Sequence, residues 1–280
     1  MSRPLLMGIV NANPDSFSDA TRLGTLDEQV AAALRLVADG ADLVDVGGES
    51  GVTYTGLTAV ETEIERVVPL VERLVAEGVA VSVDTFKAPV AAAALAAGAT
   101  TINDVSGLAD EELARLCAAH GASLVVMHTR AAPKQVRFPA YDDVVADVVG
   151  FLRERVARAR ALGVERVIVD PGPDFAKTPA DTVTVLQAFE QLVALGEPVL
   201  AAVSRKYFLG AITGRPPDQR LGATVAAALW AADAGAAMLR VHDVAEVADA
   251  LAVRDVLAGS ADVPPVDGDD ESLKWIRPDG

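Results

Sequence analysis

Short apolar runs alternate with longer amphipathic ones along most of the chain. Eight β-branched runs predict strands at Leu5–Asn11, Asp42–Gly47, Val79–Asp84, Thr100–Asp104, Ser123–His128, Arg166–Asp170, Pro198–Ser204 and Ala237–His242. Between successive runs lies at least one segment with apolar residues at helical spacing, such as Leu26–Ala38, Val60–Ala76, Val144–Leu162 and Leu221–Ala234. Glycine stands just before the next strand at Gly40, Gly78, Gly98, Gly121, Gly163, Gly196 and Gly235, where its tolerance of left-handed backbone suits a helix end.

The strand segments are nearly continuous apolar runs, as a parallel sheet buried on both faces requires. Eight strand–helix units predict an α/β fold of the (β/α)8 TIM-barrel type. A doubly wound open sheet, the competing architecture, seldom repeats its unit that often. The barrel is expected to form one domain over residues 1–259. Residues 260–280, rich in Pro, Asp and Gly and without periodicity, are expected to form a disordered acidic tail.

Composition narrows the function. A formal net charge of −16 disfavours nucleic acid and anionic membranes as partners, while leaving room for a small anion held by local cations. No apolar run reaches the roughly 18–20 residues needed to cross a bilayer. Met1–Leu6 lacks the basic start of a signal peptide, so a cytoplasmic location is expected. The single cysteine, Cys117, excludes an intramolecular disulfide and is expected in the core. His120 reads as a helix-end residue, and His128 as either lining or supporting a site. Glu61, Glu63 and Glu65 with Arg66 read as a solvated helix face. Cys/His clustering of the zinc kind is absent from the sequence.

Each apolar run ends in polar groups: Asn11, Asp45, Asp84, Asn103 with Asp104, His128, Asp170, Ser204 leading to Lys206, and Arg240 with His242. In a barrel these ends converge on the face where active sites form. The groups also sort by chemistry. Asp84, Asn103 and Asp170 can accept from N–H groups, while Lys206, Arg240 and His242 are donors or cations. A ligand with an amidine-like edge at one end and a phosphate at the other would use both sets.

The ordered motifs Asn11-Ala-Asn-Pro-Asp-Ser-Phe-Ser-Asp19, Asp45-Val-Gly-Gly-Glu-Ser50, Ser82-Val-Asp-Thr85, Ile102-Asn-Asp-Val-Ser-Gly107, Met127-His128, Asp170-Pro-Gly172 with Phe175-Ala-Lys-Thr178, Ser204-Arg-Lys206 and Arg240-Val-His-Asp-Val244 resemble those of the dihydropteroate synthase family, over roughly residues 5–258. That family condenses 6-hydroxymethyl-7,8-dihydropterin diphosphate with 4-aminobenzoate and releases diphosphate, in folate biosynthesis. The resemblance implies that Asp84, Asn103, Asp170 and Lys206 bind the pterin ring and that Met127 packs on its face. It implies that Asn11, Arg240 and His242 hold the diphosphate, with Mg2+ helped by Asn11 and Asp15. Ser204 and Arg205 would lie near the aminobenzoate carboxylate. Lys206, Arg240 and Asp84 are the residues expected to carry catalysis. A homodimer through the later helices is also implied.

The chain departs from the family pattern at the first two βα loops. Gly51-Val-Thr-Tyr-Thr-Gly56 replaces Thr-Arg-Pro-Gly, Asn13 replaces Thr, and Ala20-Thr21 replaces Gly-Gly; further along, Asp174 replaces the Gly before Phe175. Two readings follow: a synthase with divergent amine-side loops, or a paralogue that binds pterin but lacks the standard activity or uses another amine. A third class, the corrinoid-linked methyltransferases, shares the pterin contacts but has no need of the Ser-Arg-Lys and Arg-Val-His-Asp pair.

Overall fold

The computed structural model describes residues 3–12, 24–49 and 56–265. Its strands are β1 (Leu5–Asn11), β2 (Leu43–Gly47), β3 (Val81–Asp84), β4 (Thr101–Asp104), β5 (Ser123–Met127), β6 (Arg166–Asp170), β7 (Leu200–Ala201) and β8 (Met238–Val241). All neighbours are parallel, in the order β6-β5-β4-β3-β2-β1-β8-β7. A bridge between Val169 and Val199, with the Val169 N–H donating to the Pro198 carbonyl at 2.9 Å, joins β6 to β7 and closes the ring. The expected TIM barrel is therefore present.

Around it lie α1 (Leu26–Ala38), α2 (Val60–Ala76), α3 (Ala88–Ala96), α4 (Glu112–His120), α5 (Val144–Ala161), α6 (Pro179–Gln187), α7 (Phe189–Val193), α8 (Tyr207–Thr213), α9 (Leu221–Asp233) and α10 (Val244–Leu257). The first two run as the apolar spacing predicts. A capping box starts α1: Thr25 Oγ1 accepts from the Glu28 N–H at 3.3 Å, and the Glu28 carboxylate accepts from the Thr25 N–H at 2.9 Å. All seven glycines assigned to helix ends have positive φ, from 60° at Gly121 to 107° at Gly40. His120 closes α4, and Cys117 is fully buried beneath it, as expected.

Strand lengths differ from the apolar runs. The pairing of β7 spans Leu200–Ala201 where Pro198–Ser204 was expected. Pro198 has no N–H to give, and beyond Ala201 the chain leaves the sheet to build the loop that carries Lys206. Asp42 and Thr100 each donate to one neighbouring strand, at 2.8 and 2.9 Å, just ahead of the continuous ladders.

Met7, Leu43, Val125, Ile168, Leu200 and Met238 pack together inside the barrel as an apolar plug. Because side chains alternate along a strand, residues two further on point the same way. That step gives Ile9, Asp45, Met127, Asp170, Ala202 and Arg240, and Asp84 pairs in register with Asn103 beside them. The layer above the plug is thus mostly polar. Two larger apolar clusters lie outside the strands, one beneath α1 to α4 and one beneath α5 to α10.

One surface assignment is overturned. Glu61 and Glu65 are exposed, but Glu63 is only 1% exposed. It lies on the inner stripe of α2 with Val67, Leu70, Val71 and Leu74, at helical spacing, and its charge is met by Lys87 at 2.6 Å. Among the described residues, no helix is long and apolar enough to cross a membrane.

Candidate active site

The polar layer above the plug is organised around Arg240. Its Nε lies 2.6 Å from Asp45 Oδ2 and its Nη2 3.0 Å from Asp84 Oδ2. Asn103 Nδ2 donates to the same Asp45 oxygen at 3.1 Å. Asp45 is fully buried, and its second oxygen, Oδ1, has no hydrogen-bond partner among the described residues. The motifs assigned no role to this carboxylate, although its place two residues beyond the plug residue Leu43 points it inward.

Burial pushes the Asp84 carboxyl up to about 7, against the pull of Arg240 and with the push of Asp45. Burial also raises Asp170, opposed by the Gly172 N–H that donates to its Oδ1 at 2.7 Å and by the cations Lys206, Lys177 and Arg240. Lys206 is held below the usual lysine range by burial, opposed by Asp174 and Asp170. Asp84, Asn103, Asp170, Lys206 and Arg240 therefore share one end of the barrel, linked by hydrogen bonds or by mutual charge effects. Met127, 2% exposed, completes this end next to Gly172, whose added Cβ would lie 3.1 Å from Met127 Cγ.

Asn11 stands at the end of β1. A Cβ on Gly47 would lie 3.7 Å from Asn11 Oδ1 and 3.9 Å from Asp84 Cβ, so both side chains border the gap that this glycine leaves. Asp15 lies outside the described residues, as do Asn13, Ala20, Thr21 and residues 51–55. Among the described residues there is no cluster of three His, Cys, Asp or Glu side chains fit for a metal.

Ser204 and His242 form a pair. The Ser204 hydroxyl lies 2.9 Å from His242 Nδ1 and accepts from the His242 backbone N–H at 3.2 Å. Burial, with repulsion from Arg240 and Arg205, lowers the His242 pKa to about 3, so the imidazole is neutral near pH 7. Arg205 grips Asp243 with two bonds, at 2.6 and 3.1 Å. Arg220, which no motif marked, donates to the carbonyls of Arg205 and Lys206 at 2.8 and 3.1 Å and fixes this loop. It crosses α8 at Gly210, where any Cβ would come within 2.1 Å of its guanidinium.

A cavity of about 380 Å3 opens beside Lys206, lined by Phe175, Tyr207, Phe138, Lys134 and Arg137; Ser204 and Arg205 do not line it. The Lys206 ammonium sits 4.4 Å from the Phe175 ring centroid. A separate groove of about 440 Å3 between α6, α8 and α9 is apolar, bordered by Leu186, Phe208, Ile212, Ala227 and Trp230. With no ionisable side chain in its lining, it cannot supply the chemistry.

Two further polar networks brace the loops. Lys87 bonds Glu49 at 2.5 Å, Glu63 at 2.6 Å and the Thr58 carbonyl at 2.7 Å, while Thr85 Oγ1 donates to Glu63 at 2.8 Å. This joins the loop after β2 to the loop after β3. Lys177, 1% exposed, contacts His128 Nδ1 at 2.7 Å and donates to the carbonyls of Gly172 and Phe175 at 3.0 and 3.1 Å. His128 Nε2 lies 2.8 Å from Asp147. Burial and Lys177 lower the His128 pKa to about 3, and the ring is wholly enclosed. His128 therefore supports the site and does not line it.

Comparison with known proteins fits this geometry. A family model described as "Pterin binding enzyme" matches residues 7–242. The dihydropteroate synthase of Mycobacterium leprae is 43% identical over 259 residues, covering 89% of this chain and 91% of the relative. A probable bifunctional folylpolyglutamate synthase/dihydropteroate synthase of Haloferax volcanii is 44% identical over 89% of this chain, which spans only 30% of that longer protein. Among solved structures, dihydropteroate synthase of Xanthomonas albilineans with 4-aminobenzoic acid superposes with a TM-score of 0.85 at 46% identity, covering 94% of this chain and 95% of the other. The Thermus thermophilus enzyme in complex with 6HMPPP gives a TM-score of 0.80 at 39% identity, with 91% and 95% covered. A family model that reaches from β1 to just past β8, and synthases matched along nine-tenths of their length, place this chain in the pterin-binding family, among the dihydropteroate synthases.

Proposed function

We infer that this protein is a dihydropteroate synthase, which joins 4-aminobenzoate to 6-hydroxymethyl-7,8-dihydropterin diphosphate and releases diphosphate. The observation that carries this reading is the polar layer itself: acceptors on β3, β4 and β6 beside the cations Lys206 and Arg240, above a closed apolar floor. Solved relatives hold 4-aminobenzoic acid in one case and 6HMPPP in another.

Asp84 and Asp170, with Asn103, accept from the N–H and NH2 groups of the pterin edge, and Lys206 donates to its carbonyl or ring nitrogen. Met127 packs on the ring. Arg240 spends Nε and Nη2 on Asp45 and Asp84, but its Nη1 makes no hydrogen bond among the described residues and is left for an anionic oxygen. With neutral His242 donating one N–H, it neutralises the diphosphate as the carbon–oxygen bond to the pterin methylene breaks. The positive charge left on that methylene spreads into the electron-rich ring. The amine nitrogen then forms the new bond and loses a proton. The amine enters by the cavity beside Lys206, where Phe175, Tyr207 and Phe138 offer flat faces and Arg137 offers a cation to a carboxylate, Lys134 being paired with Glu49 at 3.6 Å; Ser204 and Arg205 hold the loop beneath it.

Asn11, with Asp15, suits Mg2+, which binds through one or two protein oxygens plus phosphate and water oxygens and so needs no dedicated carboxylate cluster. When bound it would supply positive charge to the diphosphate. We place the protein in the cytoplasm as a homodimer whose subunits meet across the apolar groove of α6, α8 and α9, where Ile212 and Trp230 are 67% and 44% exposed.

The deciding experiment measures diphosphate release from the pterin diphosphate with and without 4-aminobenzoate, together with calorimetric pterin binding by wild type and Asp170→Asn. Amine-dependent release, with binding weakened at least about 100-fold in the variant, is expected. Pterin binding without release would instead identify a non-catalytic paralogue, and no binding by the wild type would remove the reading altogether.

A further inference from the structure

The loop after β6 holds two non-glycine residues in left-handed backbone, Asp174 at φ 65° and Ala176 at φ 50°, a conformation uncommon outside glycine and asparagine or aspartate. Asp174 is tied there from both sides. Its N–H donates to Thr182 Oγ1 at 3.1 Å, and the same hydroxyl reaches back to its Oδ1 at 3.4 Å. Both carboxylate oxygens accept from the Phe208 N–H, each at 3.2 Å. Phe208 is the second residue of α8, whose own N-cap, Lys206, supplies no side-chain acceptor. A carboxylate from a different loop therefore completes the start of this helix. The tip of Lys206 meets the neighbouring residue, its ammonium lying over the Phe175 ring at 4.4 Å. Both the root and the tip of Lys206 thus rest on residues 174 and 175.

We propose that Asp174 is the positioning residue of Lys206, fixing the first turn of α8 from which that side chain springs and supplying the negative charge its ammonium faces. The assignment rests on the synthase reading only for what Lys206 does in turnover. The charges around Lys206 come from four elements. Asp174 in the β6–α6 loop, Asp170 on β6 and Asp84 on β3 favour the ammonium, while Arg240 on β8 and Lys177, also in the β6–α6 loop, oppose it. Burial is the larger force and lowers the lysine pKa; Asp174 is first among the groups that resist. Asp174 also acts in the same sense on the buried Lys177. Loss of its charge alone should therefore leave the helix in place and make Lys206 easier to deprotonate.

Asparagine separates the two contributions, since its side-chain oxygen can still accept from Phe208 and it tolerates positive φ. Glycine keeps the backbone and removes both. The test is the pH dependence of Lys206 acetylation by acetic anhydride, followed by peptide mass spectrometry on the full-length wild type, Asp174→Asn and Asp174→Gly. Thermal melting and the alkaline limb of kcat/KM for the pterin diphosphate are measured on the same samples. In Asp174→Asn the Lys206 midpoint should fall by roughly one pH unit, with the alkaline limb moving the same way and the melting temperature nearly unchanged. Asp174→Gly should show the same titration shift plus a lower melting temperature. An unchanged Lys206 midpoint in folded Asp174→Asn would overturn the proposal and leave Asp174 a helix cap only. Absence of turnover in the wild type would count against the synthase reading, while the acetylation result would still decide the placement of Lys206.

Discussion

Replacing Lys87 with methionine would strand the buried Glu63 carboxylate and leave buried Glu49 with only its longer ion pair to Lys134, at 3.6 Å. The side chains of Lys87, Glu49 and Glu63 are 11%, 7% and 1% exposed, and the lysine bridges both acids at 2.5 and 2.6 Å. Removing the cation from such a pair leaves charge without compensation, a loss of about 3–5 kcal/mol. Glu63→Gln alone should cost less, about 1–2 kcal/mol, because Lys87 keeps Glu49 and the Thr58 carbonyl. The double variant Lys87→Met with Glu63→Gln should be more stable than the sum of the two losses predicts, by at least about 1 kcal/mol. The assay is urea unfolding at neutral pH, with thermal melting as a second readout; the single lysine change should lower Tm by roughly 10 °C. The pH dependence has a definite sign. Burial pulls Lys87 down, but the hydrogen bonds it donates to Glu49 and Glu63, with their negative charge, outweigh it and leave the pKa raised. A raised lysine pKa contributes stability that is complete below the unfolded value of about 10.4 and is lost as pH climbs through the folded one. The gap between wild type and variant should therefore stay flat from about pH 7 to 9. A loss under about 1 kcal/mol, or strictly additive changes, would show that the acids are relieved by solvent and that the network braces nothing.

Two other outcomes are open to measurement. Asp84, pushed up to about 7, becomes neutral below that pH and can no longer accept two N–H groups as a carboxylate. Calorimetric affinity for a pterin should therefore fall by up to about tenfold per pH unit as pH drops below 7, and a flat profile from pH 8 to about 5.5 would refute it. The same raised pKa makes the folding contribution of Asp84 greatest at acid pH and smaller as pH rises towards 7. Gly172→Ala would place a Cβ 2.2 Å from the His128 carbonyl oxygen at a φ of 65°. It should lower stability by roughly 2–4 kcal/mol and weaken pterin binding with it, whereas a wild-type Tm would show that the loop shifts freely.

Much of this architecture can be read without coordinates. The strand count, the helix-closing glycines and the convergence of polar strand ends all follow from local periodicity, and Asp84, Asn103, Asp170, Lys206 and Arg240 do meet. What escaped is partnership. Asp45 carries the same strand-end signal as Asp84, but nothing in a sequence says that Arg240 will face both. Glu63 looks like part of a run of alternating acids. Only its spacing to Val67 and Val71 marks it as inward, and the lysine that makes burial tolerable lies 24 residues away. Arg220 is still less visible, since its role is to secure carbonyls at Arg205 and Lys206, and backbone oxygens leave no trace in residue types. The short β7 likewise reflects a loop's destination more than its composition.

The plug of Met7, Leu43, Val125, Ile168, Leu200 and Met238 has a kinetic consequence. A barrel stoppered at one end has a single doorway, so every reactant must arrive, and every product depart, through the same mouth. Whatever binds against the stopper has to come first and go last, and a molecule lodged nearer the rim imprisons it. Traffic through this enzyme should therefore be sequential, with the deeper guest setting the queue.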